Sequence, residues 1–211
     1  MISKEQLILE LEKRSIPTNF FIIKKQTIIE YNDFFKIDLN KDFKIYLIHT
    51  IEEMNIATGR KNEKWLKGYT CGPEKQIFIF DPDHYLKETG QKIINLEKLI
   101  KHEIAHIYFG EITHSHHPNW LNEGLAEYLS KKEKQSIDLN EIVNCIDYYN
   151  SFSVEQYARS YLLVDLLINK FGKDKLLSLI KSHKNKEEFY KFFKETYGFD
   201  LTEENLILNL K

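Results

Sequence analysis

Hydrophobic side chains follow two different periods along this chain. Lys4 to Lys13 mixes Leu7, Leu9 and Leu11 into charge and is predicted helical; Thr18 to Lys36, rich in Phe and Ile, is predicted as a second helix. Asp42 to His49 alternates through Phe43, Ile45 and Leu47, the period of a strand. Thr50 to Thr58 reads as a short helix with Thr50 as cap and Glu53 as its capping-box partner. Within Trp65 to Lys75, Gly68 and Gly72-Pro73 mark turns. Gln76 to Phe80 is a second strand, ended by Asp81-Pro82. From Gln91 onward helical spacing dominates. Helices are predicted over 91–109, 120–133, Leu139 to Tyr148, Tyr157 to Phe171 with Gly172 as stop, Lys173 to His183 and Lys186 to Tyr197, with a helical tail from Leu201 to Leu210. This order predicts an α+β, mostly helical fold. It is read as a single domain over 1–211, with a small N-terminal α+β lobe over 1–90 and a C-terminal helical lobe over 91–211.

The helix predicted over 91–109 carries chemistry. Ile93, Leu96, Ile100, Ile104 and Ile107 form its apolar stripe, and His102, Glu103 and His106 fall on the other side as H-E-x-x-H. Helical residues four apart project about 40° from one another, so both imidazoles share a face and can hold one side of a Zn²⁺ ion. Glu103, about 60° around the helix from His106, can reach a water on that ion. Gly110 suits a C-terminal stop. Sixteen residues separate His106 from Glu123, and Pro118-Asn119 marks the start of the helix that carries it. Glu123 and Glu127 share a face of that helix, and on spacing alone either reaches a metal. Gly124 inside the helix costs up to about 1 kcal/mol relative to Ala, which implies a close approach to another element. The bland alternative for all of these residues is a pair of solvated, charged helix faces.

His102-Glu-Ile-Ala-His106-Ile-Tyr-Phe-Gly110 and Trp120-Leu-Asn-Glu-Gly-Leu-Ala-Glu-Tyr128 resemble the two zinc segments of the gluzincin metallopeptidases, and within them the M1 aminopeptidase-like (peptidase MA) group. The resemblance covers about residues 65 to 180. It implies a minimal thermolysin-like zincin catalytic domain with Zn²⁺ held by His102, His106 and Glu123. It further implies Glu103 as general base and Glu127 as the acid supporting a ligand histidine from behind. Tyr157 to Gly172 is similar to a third family segment, which implies Tyr157 as donor to the oxyanion of the tetrahedral intermediate. Tyr161, one turn on, is the fallback; otherwise both tyrosines simply pack. The implied reaction is peptide-bond hydrolysis, with Glu103 taking the proton of the attacking water and passing it to the leaving amine. In gluzincins an edge strand just before the metal helix pairs with extended substrate. Residues 76–80 hold that place, with an interior strand as the other reading. Two departures limit the parallel. The gap before Glu123 is two residues shorter than the aminopeptidase pattern, and no G-x-M-E-N segment precedes the helix. The metal chemistry carries over; exopeptidase specificity does not.

Composition then narrows the partners. The 211 residues are 42% hydrophobic and 29% charged, as in an ordinary globular protein. A net charge of −2 offers no electrostatic reason to bind nucleic acid or an anionic membrane. No apolar run is long enough to span a bilayer, and Met1 is not followed by a signal-peptide core, so a cytoplasmic location is expected. Cys71 and Cys145 lack C-x-x-C spacing and read as reduced thiols outside the metal site. The expected partner is a peptide or protein substrate. His114, His116 and His117 read as a polar loop, with a second metal site or a substrate contact as the sharper alternative. His49, His84 and His183 have no partner spacing and read as structural or surface residues. Two rival functions remain: a non-catalytic metal-binding interaction protein, which has no need of Glu103, and a processing protease dedicated to one cytoplasmic regulator. Mn²⁺, Co²⁺ or Ni²⁺ could replace zinc on such ligands in vitro.

Overall fold

The computed structural model describes residues 2–39, 43–61, 64, 66–130, 146, 149, 156–182 and 185–210. Among them run, in order, α1 (Lys4–Leu11), α2 (Thr18–Phe35), β1 (Lys44–Ile48), α3 (Ile51–Thr58), β2 (Gly68–Cys71), β3 (Gln76–Phe80), α4 (Pro82–Thr89), α5 (Leu96–Thr113), α6 (Asn119–Ser130), α7 (Gln156–Phe171), α8 (Lys173–Ser182), α9 (Lys186–Tyr197) and α10 (Glu203–Leu210). The fold is α+β and mostly helical, as expected. The chain divides into two compact units, Met1–Ile107 and Tyr108–Lys211, and the division falls inside α5.

In the first unit, local polar chemistry sets the element ends. The Ser3 hydroxyl accepts the Gln6 N–H while the Gln6 side chain accepts the Ser3 N–H, closing a capping box on α1. Thr50 caps α3 by accepting the Glu53 N–H at 3.1 Å, but Glu53 does not return the bond. Its carboxylate instead takes both Arg14 nitrogens, at 2.6 and 2.9 Å, and the His49 N–H at 2.8 Å. A charge-assisted, two-pronged pair outcompetes the capping box for that carboxylate. Asp81-Pro82 ends a strand and also opens a helix. Pro82 sits at the start of α4, where its missing N–H is harmless, and Asp81 accepts the N–H groups of Asp83 and His84.

The sheet has the order β1-β3-β2, with β1 parallel and β2 antiparallel to β3. β2 lies in the stretch expected to be turns only. β3 is therefore the central strand, not a substrate-pairing edge: Ile79 faces Leu47 on one side and Gly68 on the other. Its residues Ile77, Phe78 and Ile79 are fully buried, as suits a strand covered on both faces. Phe78 and Phe80 pack into a cluster with Leu7, Leu11, Tyr46, Met54, Ala57 and Tyr85.

α5 begins at Leu96 rather than residue 91, because Asn95 supplies the start. Its side chain accepts the Lys98 N–H and its carbonyl the Leu99 N–H. The helix runs through Gly110 to Thr113, and His114, at φ 53°, closes it with an N–H bond to the Gly110 carbonyl. The two-sided pattern predicted for this helix is also corrected. Ile100, Ile104 and Ile107 are buried, but so are Lys101, Glu103, Ala105, His106, Tyr108 and Phe109, which makes α5 a core helix. Lys101 tolerates burial because Glu30 and Glu97 lie 3.0 and 3.3 Å from its ammonium. The Tyr31 hydroxyl donates to the Lys101 carbonyl and fastens α2 to this helix.

In the second unit, α6 and α7 approach closely at Gly124. A Cβ there would stand 2.4 Å from the Ser160 carbonyl oxygen, so the close approach implied by the sequence is present. Trp120, Phe189, Phe193, Tyr197 and Phe171 form a chain of ring contacts through α6, α9 and α7. Gly172, at φ 88°, stops α7 where expected. The helix predicted over Leu139 to Tyr148 lies almost wholly outside the described residues, as do Cys145, His183 and the end of the 120–133 helix.

Candidate metal centre

One turn of α5 separates His102 from His106 and brings their Nε2 atoms to 3.2 Å, with the rings at 86°. Two ligands bonded at 2.0–2.1 Å with a tetrahedral angle lie about 3.3 Å apart, so this pair is spaced for one ion. Glu123 lies on α6, in the second unit, and is partly buried. Imidazole pairs of this spacing, joined by one carboxylate, are the donor types of a zinc site that keeps an open position.

Glu103 is 5% exposed and is held from β2. Thr70 Oγ1 lies 2.7 Å from Glu103 Oε2 and 3.0 Å from the Glu103 carbonyl oxygen. Two residues earlier, a Cβ on Gly68 would stand 2.6 Å from Glu103 Oε1, so a larger residue there would displace the carboxylate from this position. Sequence reasoning missed both neighbours. Gly68 was the available signal, and it read as a turn marker. Cys71 ends the same strand; burial pushes its thiol above the ordinary value although the Lys4 ammonium opposes this, and it remains a free thiol.

A family model described as the Peptidase MA superfamily matches residues 24–207. The chain belongs to the peptidase MA superfamily. No curated protein matches it. Membership suggests metallopeptidase-type hydrolysis and peptide or protein substrates.

In this peptidase MA protein, Glu127 lies buried on α6 one turn beyond Glu123. Tyr157 is half-buried in the first turn of α7, while Tyr161 is buried, its ring 6.4 Å from that of Tyr128. The loop histidines have local roles. His114 closes α5, and His117 stacks on Tyr149 with a ring nitrogen 3.1 Å from the Tyr149 carbonyl oxygen. Among the described residues, the metal-capable groups include none of His114, His116 and His117. They do include a second set, His49, Asp81 and His84, which corrects the expectation that those two histidines have no partners. No helix among the described residues is long and apolar enough to cross a membrane.

Proposed function

We propose that this chain is a zinc-dependent peptidase of the gluzincin, aminopeptidase-like kind, a single catalytic domain acting on peptides or proteins in the cytoplasm. The observation that carries the reading is the 3.2 Å approach of the His102 and His106 Nε2 atoms on one helix, beside a Glu103 carboxylate braced by Thr70. His102, His106 and Glu123 would hold the ion, which when bound supplies Lewis acidity and makes a water molecule more acidic. Glu103 accepts the proton of the attacking water and delivers it to the leaving nitrogen. Tyr157 donates to the developing oxyanion, with Tyr161 as the alternative on the same helix. Glu127 takes the outer ring N–H of a ligand histidine and fixes its orientation. β2, which reaches Glu103 and lies at an edge of the sheet, is the strand suited to pair with an extended substrate; β3 is not. The braced Glu103 speaks against a purely metal-binding interaction protein, which gains nothing from a buried, oriented carboxylate.

The test is cleavage of casein and a peptide library by the purified chain, with and without chelator, alongside Glu103→Gln. Chelator-sensitive cleavage that disappears in Glu103→Gln while zinc content is unchanged supports the reading. Chelator-resistant cleavage, or full activity in Glu103→Gln, contradicts it.

A further inference from the structure

β1 and β3 run parallel and end side by side: Ile48 pairs with Phe80, and the Asp81 N–H donates to the Ile48 carbonyl at 2.9 Å. The residues that follow, His49 and Asp81, thus leave neighbouring strand ends. Asp81 caps α4, whose first turn carries His84. His84 Nδ1 lies 2.9 Å from Asp81 Oδ1, and the His49 ring stacks on the His84 ring with centroids 3.7 Å apart and planes at 4°. One ligand atom from each of the three lies within 4.8 Å of the others, and all three side chains are partly exposed. Backbone bonds place all three: Glu53 accepts the His49 N–H, the Asp81 N–H donates to Ile48, and the His84 N–H donates to the Asp81 carboxylate.

We propose that His49, Asp81 and His84 form a second divalent transition-metal site, each histidine giving one ring nitrogen and Asp81 a carboxylate oxygen. Imidazole with carboxylate favours Zn²⁺, Ni²⁺ or Cu²⁺ over Mg²⁺ or Ca²⁺. Asp81 brings one negative charge into the set, and the Arg14 charge that acts on His49 is paired with Glu53, 2.6 Å away. A ring nitrogen's lone pair lies in the ring plane, so two parallel rings cannot converge on one point. Ligation therefore turns one ring about its Cβ–Cγ bond, and His84, with its side chain 39% exposed, is the ring open to that turn. The backbone that gathers the three residues need not move. An ion here joins the end of β1 to the first turn of α4 and stabilises the first unit, because it binds only where the three elements are assembled. This site is independent of the peptidase reading.

The test is zinc binding to the full, tag-free chain after chelator stripping, followed by calorimetry and by melting with and without Zn²⁺. The His102→Ala/His106→Ala variant isolates the site: it retains one zinc per chain, and zinc raises its melting temperature. Adding His84→Gln weakens that binding by at least about tenfold. Asp81→Asn, which keeps the helix cap, does the same and removes the thermal shift. In the otherwise unaltered chain, His84→Gln alone lowers the zinc stoichiometry by one, a readout that does not depend on the double variant folding. Zinc binding absent from the folded double variant overturns the proposal. So does binding that survives both His84→Gln and Asp81→Asn, which would put the ion elsewhere, as on the loop histidines.

Discussion

Thr70 Oγ1 stands 2.7 Å from Glu103 Oε2 and so couples an edge strand to the carboxylate of the H-E-x-x-H helix. The hydroxyl has one proton and two acceptors in reach, and the charged one is closer. Charge-assisted bonds of this kind are the stronger ones, so the proton goes to the carboxylate and fixes its direction. Thr70→Val keeps the shape and removes the donor. It is expected to lower kcat/KM on a cleaved peptide by about tenfold, equivalent to ~1.4 kcal/mol, with zinc content and melting temperature unchanged. Thr70→Ser is expected to retain most of the activity. Steady-state kinetics on the three proteins checks this, and an inactive Thr70→Ser would point to packing rather than the hydroxyl.

Gly124 allows α6 and α7 to touch, since its missing Cβ would fall 2.4 Å from the Ser160 oxygen and 2.7 Å from the Ser160 carbonyl carbon. Both are backbone atoms and cannot swing aside. Alanine gains about 1 kcal/mol in helix propensity over glycine, but overpacking of this kind costs about 1–3 kcal/mol. Gly124→Ala should therefore be destabilising on balance, by up to about 2 kcal/mol. Urea denaturation measures it; a stabilised variant would mean the two helices can separate freely.

Tyr197 is buried on α9, and its hydroxyl has no hydrogen-bond partner among the described residues. Burial holds its phenol far above the ordinary value. A group whose folded pKa is raised contributes stability that is complete below the unfolded pKa and is lost as pH rises through the folded one. Here the loss starts above about pH 10, where the unfolded tyrosine gives up its proton and the folded one does not. Tyr197→Phe is expected to be as stable as the parent or more so at neutral pH, by up to about 1 kcal/mol. Its advantage should widen above about pH 10. Thermal melts across that range check both parts.

How much of this was legible before folding depends on whether the information was local. The H-E-x-x-H cluster was, because helical spacing alone puts His102, Glu103 and His106 within about one turn. The helices with strong stripes and a glycine stop, such as α7 before Gly172, were also readable. β2 was not: four residues carry no usable alternation, and Gly68–Cys71 is a strand only because β3 pairs with it. Thr70 and Gly68 could not be linked to Glu103, since that contact joins residues 33 positions apart in the case of Thr70. α4 has a local signal, as Asp81-Pro82 is a cap followed by a first-turn proline, but the same pair also ends β3, and the two meanings coincide. His49 and His84 looked solitary because parallel strands bring distant ends together, which spacing within one segment cannot reveal.

Anomalous diffraction at the zinc absorption edge tests most directly whether three side chains of this chain hold one ion. A crystal grown with zinc should give a peak bonded to His102 Nε2, His106 Nε2 and a Glu123 carboxylate oxygen, each at about 2.0–2.2 Å. A peak held by the two histidines with Glu127 in place of Glu123, or no peak at the imidazole pair, would contradict it.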